Sequence, residues 1–315
     1  MAHKFLVTGG AGFLGVSLVK RLLEEGHQVR ILDNESRGRK SRFSEKTEQI
    51  EIFTGDVRDY TLVEKAIKGC QSVVHMAYIN GTEFFYTKPE LILDVGVKGM
   101  LNVLNACRTQ NVGDLILISS SEVYQTPPII PTPEDVPLVI PDIHNPRYSY
   151  GGGKIISELL GIHYGKKYFK KLIIFRPHNV YGPDMGNKHV IPQFIGRMKK
   201  IKKNRGSFNI LGSGKEVRSF IHIDDFINPF SLILKKGKHL EIYNIGTKEK
   251  IRINKLALVI SKLMNKKILI KRKKISEGST KMRCPDISKI KKMGFVKKIP
   301  LRAGLKNIIQ ITTDR

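Results

Sequence analysis

Residues 4–33 restrict the fold more than any other stretch. Lys4–Val7 is a short apolar run, TGGAGFLG follows with Gly9, Gly12 and Gly15 three apart, and Leu14, Leu18 and Leu22 recur at helical spacing. This order predicts strand, tight glycine turn and helix, with Gly26 ending the helix. Such glycines let the backbone approach a pyrophosphate, while the helix N-terminus offers N–H groups and a positive dipole end. Gly9, Gly12, Phe13, Leu14 and Gly15 are therefore candidate cofactor contacts. A second strand, Gln28–Leu32, runs to Asp33, 18 residues past Gly15, where a carboxylate can accept from both ribose hydroxyls of an adenosine. That acid predicts NAD rather than NADP. Arg37 and Arg39 could hold a 2′-phosphate, but Asp33 would repel it.

Strand-like runs continue at Ile50–Phe53, Ser72–Met76 and Leu115–Ile118, separated by helical patterns from about Thr61 and over Pro89–Arg108. Strands alternating with helices mean βαβ units and a parallel sheet, with the ligand at the carboxyl ends of the strands. Ser119, Ser120 and Ser121 fall where a site belongs. Asp56 marks another strand end and could bond an adenine amino group or cap the following helix. Downstream, YSYGGGK (148–154) places Tyr150 and Lys154 four apart, on one face of a helix. A cation beside a phenol favours phenolate, so the pair could take a proton from a hydroxyl. The same spacing also arises by chance on solvated helices.

Composition bounds the rest. With 315 residues and 41% hydrophobic content, the chain can bury a substantial core. No apolar run approaches the ~18 residues of a membrane span, and MAHKFLVTGG enters a strand-like segment at once, so no signal peptide is expected and the location is expected to be cytoplasmic. Cys70, Cys107 and Cys284 lack a metal or disulfide spacing and are expected to be reduced and structural. The net charge is +27, with basic clusters at 197–205 and 266–274. Such a field attracts polyanions, but neither cluster carries the interleaved aromatics of base stacking, so solvated faces are expected rather than nucleic-acid binding.

Taken together, TGGAGFLG, Asp33, GDVRD, HMA (75–77), SSSEVY (119–124), YGGGK (150–154), RPHNVYGP (176–183), VRSFIHIDD (217–225), YNIG (243–246) and RCPDISK (283–289) resemble the extended short-chain dehydrogenase/reductase family. The branch is that of NAD-dependent nucleotide-sugar epimerases and dehydratases, and the match runs from Lys4 to about Gly294. The resemblance implies an α/β fold: a doubly wound parallel sheet of Rossmann type with a smaller mixed α/β substrate-binding domain. Residues 1–177 would bind NAD, with returning segments near 217–246, and residues 178–315 would mainly bind a nucleotide-sugar. It implies that Tyr150 is the general base, that Lys154 lowers its pKa while binding the nicotinamide ribose, and that Ser120 bonds the reacting sugar oxygen. Val57 and Ala77 would join Asp56 along the cofactor, while Ser121, Asn179, His189 and Val190 would meet the substrate. Arg218 and Arg283 would clamp two phosphates, whose oxygens guanidinium forks match. His75, His178 and His222 are expected to be structural, and no metal is implied. Helices near 90–108 and 150–167 would pair across a homodimer axis.

Departures from the family pattern bear on the reaction. Gly96 stands where an Asn is usual, which removes a polar contact that helps organise the site. The interior of YGGGK is three glycines, each costing up to about 1 kcal/mol of helix propensity, so the backbone there either meets a close neighbour or has drifted. A 4,6-dehydratase of this branch has Asp–Glu after the Ser/Thr, but here the pair is Ser121–Glu122. A 4-epimerase needs no further acid or base and is the expected activity. Glu122 and NPRYSY also suit a decarboxylase of UDP-glucuronate type, because a 4-keto uronate is a β-keto acid. A noncatalytic member of the fold, binding RNA or protein through its basic surface, is the alternative of a different class.

Overall fold

The computed structural model describes residues 3–43, 49–202, 205–273 and 278–313. Lys203 and Asn204 of the first basic cluster and Lys274 of the second lie outside them. The first half alternates as the hydrophobic pattern requires. β1 (Lys4–Thr8), α1 (Phe13–Glu24) and β2 (Gln28–Asp33) are followed by β3 (Ile50–Thr54), α2 (Tyr60–Ile67) and β4 (Ser72–His75). Then come α3 (Thr82–Thr87), α4 (Pro89–Leu93), α5 (Gly99–Thr109), β5 (Asp114–Ile118), α6 (Tyr148–Tyr168) and β6 (Lys171–Pro177). Beyond them lie β7 (Val180–Tyr181), α7 (Val190–Lys199), β8 (Arg205–Leu211), β9 (Val217–Ser219), β10 (Ile221–His222), α8 (Ile223–Lys236) and β11 (Glu241–Ile245). The remaining elements are β12 (Lys250–Arg252), α9 (Ile253–Leu263), β13 (Lys267–Lys273), α10 (Ser288–Lys292) and α11 (Leu301–Thr313).

Seven strands form one parallel sheet in the order β11-β6-β5-β4-β1-β2-β3. Strand order reverses between β1 and β4, which opens a crevice at their carboxyl ends. Alternate residues of β1 serve opposite faces. Phe5 and Val7 pack with Leu18 of α1 and Phe226 of α8, whereas Leu6 packs with Val63 of α2 and Val103 of α5. β11 pairs with β6, so the chain returns to the main sheet after leaving it. A separate apolar cluster joins α7, β8, α9 and α11 through Phe194, Phe208, Leu256 and Leu305.

Two expectations change. The chain is helical throughout Pro89–Arg108 as expected, but not uniformly α, because Asp94–Lys98 is a π turn between α4 and α5. Gly96 and Gly99 lie in and beside it, and each is pressed so close to a neighbour, Tyr78 and Val57 respectively, that a Cβ would collide. Glycine also weakens the preference for regular α turns. The cap of α2 is Asp59, which accepts from Leu62 N at 3.1 Å, so Asp56 is not that cap. Among the described residues no helix is long and apolar enough to cross a membrane. All three cysteines are buried free thiols.

A buried ion pair ties α6 to the sheet. Arg176, at the end of β6, binds Glu158 of α6 through Nε–Oε1 at 2.9 Å and Nη2–Oε2 at 2.6 Å, and its Nη1 donates to the Tyr124 hydroxyl and the Glu134 carbonyl, both at 2.8 Å. Both side chains are almost fully buried. Arg176→Met should lower the unfolding free energy in urea by about 3–5 kcal/mol, because Glu158 would keep an unpaired buried charge. Arg176→Met combined with Glu158→Leu should cost less than the single change.

Candidate active site

The glycine turn is held by close backbone packing. Gly9 has φ +70°, and a Cβ on it would lie 2.9 Å from Ala77 N and Cα; one on Gly15 would meet the Gly9 carbonyl oxygen at 2.4 Å. A Cβ on Gly12 would meet only the Gly9 carbonyl oxygen, at 3.2 Å. Gly12 is the N-cap of α1 and has no side chain to satisfy the first N–H groups of the helix, those of Phe13 and Leu14 among them. At the end of β2, Asp33 accepts from Ala11 N at 3.0 Å and Glu35 N at 2.8 Å. Burial raises its pKa, and those two backbone donors oppose the rise. Asp56 is occupied by Arg58, with Oδ1 3.0 Å from Arg58 Nε, and by Asn34 Nδ2 at 3.1 Å. Thr8 Oγ1 bonds His75 Nδ1 at 2.8 Å and accepts from Ala77 N at 3.2 Å, which fixes the chain leaving β4. Burial drives His75 down to about 3, so it is a neutral structural side chain.

The chemistry gathers at the carboxyl end of β5. Ser120 caps the short 3₁₀ turn Ser121–Tyr124, and its Oγ accepts from Glu122 N at 3.1 Å. Tyr150, in the first turn of α6, is buried near Ser120, whose hydroxyl favours its ionised form. Phe85 stacks on its ring at 5.1 Å between centroids, and Tyr78 meets it edge-on at 5.2 Å. Burial pushes the Tyr150 phenol up to about 12, opposed by Ser120, Arg37 and Arg283 and reinforced by Glu122. Lys154 is one turn further on, buried, with Nζ donating to the Ile118 carbonyl at 2.7 Å. Burial pulls it down to about 7, against the attraction of Glu158.

Around this centre lie three arginines and one acid. Arg283 forms a two-pronged ion pair with Glu122, with Nη2–Oε2 at 2.6 Å, and also donates to Thr280 Oγ1 at 2.8 Å. Burial alone would raise the Glu122 carboxyl, but Arg283, then Arg147 and Arg218, hold it below the usual range. Arg218 donates to the carbonyls of Val217 and Thr280 at 2.8 and 2.9 Å. Burial, with Arg283 beside it, brings Arg218 down to about 10. Ser121 is buried in the same turn. Asn179, with φ +40°, donates from Nδ2 to the Ser219 carbonyl at 3.0 Å. His189 caps α7 just before Val190, and burial together with Arg37 lowers its pKa to about 4.

The sequence model of the NAD-dependent epimerase/dehydratase family matches residues 5–246. The chain belongs to that family. A putative UDP-glucose 4-epimerase of Methanocaldococcus jannaschii is 31% identical over 309 residues, covering 96% of each chain. UDP-glucuronic acid decarboxylase 3 of Arabidopsis thaliana is 30% identical over 309 residues, covering 96% of this chain and 86% of the relative. The crystal structure of a UDP-glucose 4-epimerase from Thermotoga maritima with UDP-glucose superposes with a TM-score of 0.88 at 26% identity, covering 99% of each chain.

As in the rest of the NAD-dependent family, the cofactor is NAD, and the residues present fit it. The bare N-terminus of α1 offers donors to a diphosphate, and Asp33 stands at the neighbouring strand end with its carboxylate already oriented by two N–H groups. Arg37, weighed above as a 2′-phosphate ligand, instead donates to the Asn80 carbonyl and acts electrostatically on Tyr150. Sequence reasoning missed Tyr78, Phe85 and the Glu158–Arg176 pair. Their only signal was apolar or charged character, which does not say what a side chain will face. Asp33→Ala should weaken NAD binding by about tenfold to a hundredfold and narrow the preference over NADP, measured by titration calorimetry, since hydrogen bonds to a charged group contribute about 1.5–3 kcal/mol.

Proposed function

We propose that the protein is a nucleotide-sugar 4-epimerase acting through a transient 4-keto sugar. The observation that carries this reading is the buried Tyr150–Lys154 pair on α6 at the end of β5, beside a Glu122 whose carboxylate is taken up by Arg283. Epimerisation asks only for one proton acceptor at the sugar hydroxyl and for room to turn the ketone over. Tyr150 takes that proton, Ser120 orients the hydroxyl, and Lys154 favours the phenolate. Bound NAD supplies the hydride acceptor and donor. A phenol that burial holds near 12 needs added positive charge to work at neutral pH, and Arg37 and Arg283 already act in that direction. Arg218 and Arg283 take the diphosphate, and Asn179, His189, Val190 and Ser121 line the sugar and nucleoside. Dehydration would need a second acid, and position 121 is a buried serine.

The cationic cluster favours a second reading, decarboxylation of a nucleotide-linked uronate. Arg147, Arg218 and Arg283 surround a single carboxylate, Glu122, and the excess positive charge would seat a sugar carboxylate as readily as a phosphate. For the assembly we take a homodimer, supported by the apolar side chains that α6 and α4 leave exposed, such as Leu159 and Leu93.

Incubation with UDP-, GDP- and CDP-sugars, followed by NMR, should show inversion at C4. No inversion with any of them would refute the first reading, and CO₂ release from UDP-glucuronate would establish the second. Tyr150→Phe should abolish turnover while leaving bound NAD in place, and an active variant would remove Tyr150 as the base.

A further inference from the structure

Tyr78 directly follows Ala77 at the end of β4, and its hydroxyl is buried with no partner among the described residues. The space it occupies is unusual. A Cβ on Gly96 would lie 2.1 Å from the Tyr78 hydroxyl oxygen, and one on Gly153 would lie 2.2 Å from it. The side chain therefore enters a slot between the π turn and the second turn of α6, which any residue but glycine at 96 or 153 would close. Position 96 is where a polar side chain was expected, and the Tyr78 hydroxyl fills that volume instead. The glycines of YGGGK thus have close neighbours, with Gly151 against Gln125 and the Glu122 carbonyl, and Gly152 against Ile140.

From this slot the Tyr78 ring reaches both members of the catalytic pair. Lys154 Nζ lies 4.0 Å from its centroid, and the Tyr78 ring meets the Tyr150 ring nearly at right angles. A buried ammonium with one carbonyl acceptor is costly unless something else favours its charge. Few groups near it do so. On α6, Glu158 attracts the ammonium but is shared with Arg176, and Tyr150 is a neutral phenol. On β4, His75 is neutral, and β5 contributes only the Ile118 carbonyl. On the π turn, Asp94 pairs with Arg58. The face of an aromatic ring attracts a cation, most strongly where water is excluded.

We propose that Tyr78 is a positioning residue of the active site: its ring carries the Lys154 ammonium and braces Tyr150, from a slot opened by glycine at 96 and 153. The three residues form one unit, since a side chain at either glycine would expel the ring. Burial raises the Tyr78 phenol above its ordinary value, so it stays protonated beside Lys154 and does not act as a second base.

The test follows Lys154 directly, without turnover. In the full-length protein with NAD bound, lysine ε-carbons labelled with carbon-13 are titrated by NMR, and the Lys154 signal is assigned with Lys154→Met. Tyr78→Leu should lower the Lys154 midpoint, leaving about tenfold less ammonium at a given pH above it. Tyr78→Phe, which keeps the ring, should restore most of it. Gly153→Ala, which leaves Tyr78 in the chain but closes its slot, should reproduce the loss and serves if Tyr78→Leu does not fold. A folded Tyr78→Leu or Gly153→Ala protein whose Lys154 titrates as in the wild type would overturn the proposal. Failure of the base assignment would show separately, as activity in Tyr150→Phe with the Lys154 titration still dependent on Tyr78.

Discussion

The candidate active site rests on the buried ion pair between Glu158 and Arg176. Glu158 lies one turn beyond Lys154 on α6, and Arg176 is the penultimate residue of β6, so the pair locks the helix that carries Tyr150 to the end of the sheet where β5 ends. Ser119 donates to the same carboxylate, which anchors the strand end that presents Ser120. Tyr124 extends the network, taking a bond from Arg176 and donating to Asn244 of β11 at 2.7 Å. Two charges out of water gain little stability as a pair, but their geometry is demanding. The result is a rigid floor that holds Ser120 and Tyr150 in register.

Above that floor the electrostatics oppose the groups' ordinary behaviour. Burial pushes Tyr150 toward its neutral phenol and pulls Lys154 toward its neutral amine. Both effects work against a phenolate beside an ammonium, and each is countered by particular neighbours. Arg37 and Arg283 favour the phenolate, while Glu158 and the Tyr78 ring favour the ammonium. Glu122 plays a double part: its charge raises Tyr150, yet it also occupies Arg283. An anion that drew Arg283 away from Glu122 would change the balance at Tyr150, so in the proposed function recognition of the substrate anion would be linked to the protonation of the base.

Much of the fold was legible because its signals are local. Gly9 and Gly15 must be glycine for backbone to pass backbone, and the alternation of apolar runs with helical spacing dictates a parallel sheet. Tyr150 and Lys154 could be paired because a four-residue helical spacing is a feature of sequence, whereas Ser120 stood out from Ser119 and Ser121 only through the family resemblance. The π turn was not legible, since Pro89–Arg108 has an unbroken helical pattern and only contact with Tyr78 and Val57 explains the glycines within it. Asp56 was ambiguous for a similar reason: two aspartates near a helix start cannot be told apart until one of them, Asp59, is seen to reach Leu62 N.

The sequence by itself determined the dinucleotide turn, the acid at Asp33, the strand-end serines and the Tyr150–Lys154 spacing, because each depends on backbone geometry within a few residues. Only the tertiary structure decided which charges meet. Glu122 finds Arg283, 161 residues away, and Glu158 finds Arg176 at the end of the sheet. Tyr78 comes to lie between Gly96 and Gly153, where its ring faces Lys154. Long-range pairings of this kind follow from packing the helices onto the sheet, and no local pattern encodes them.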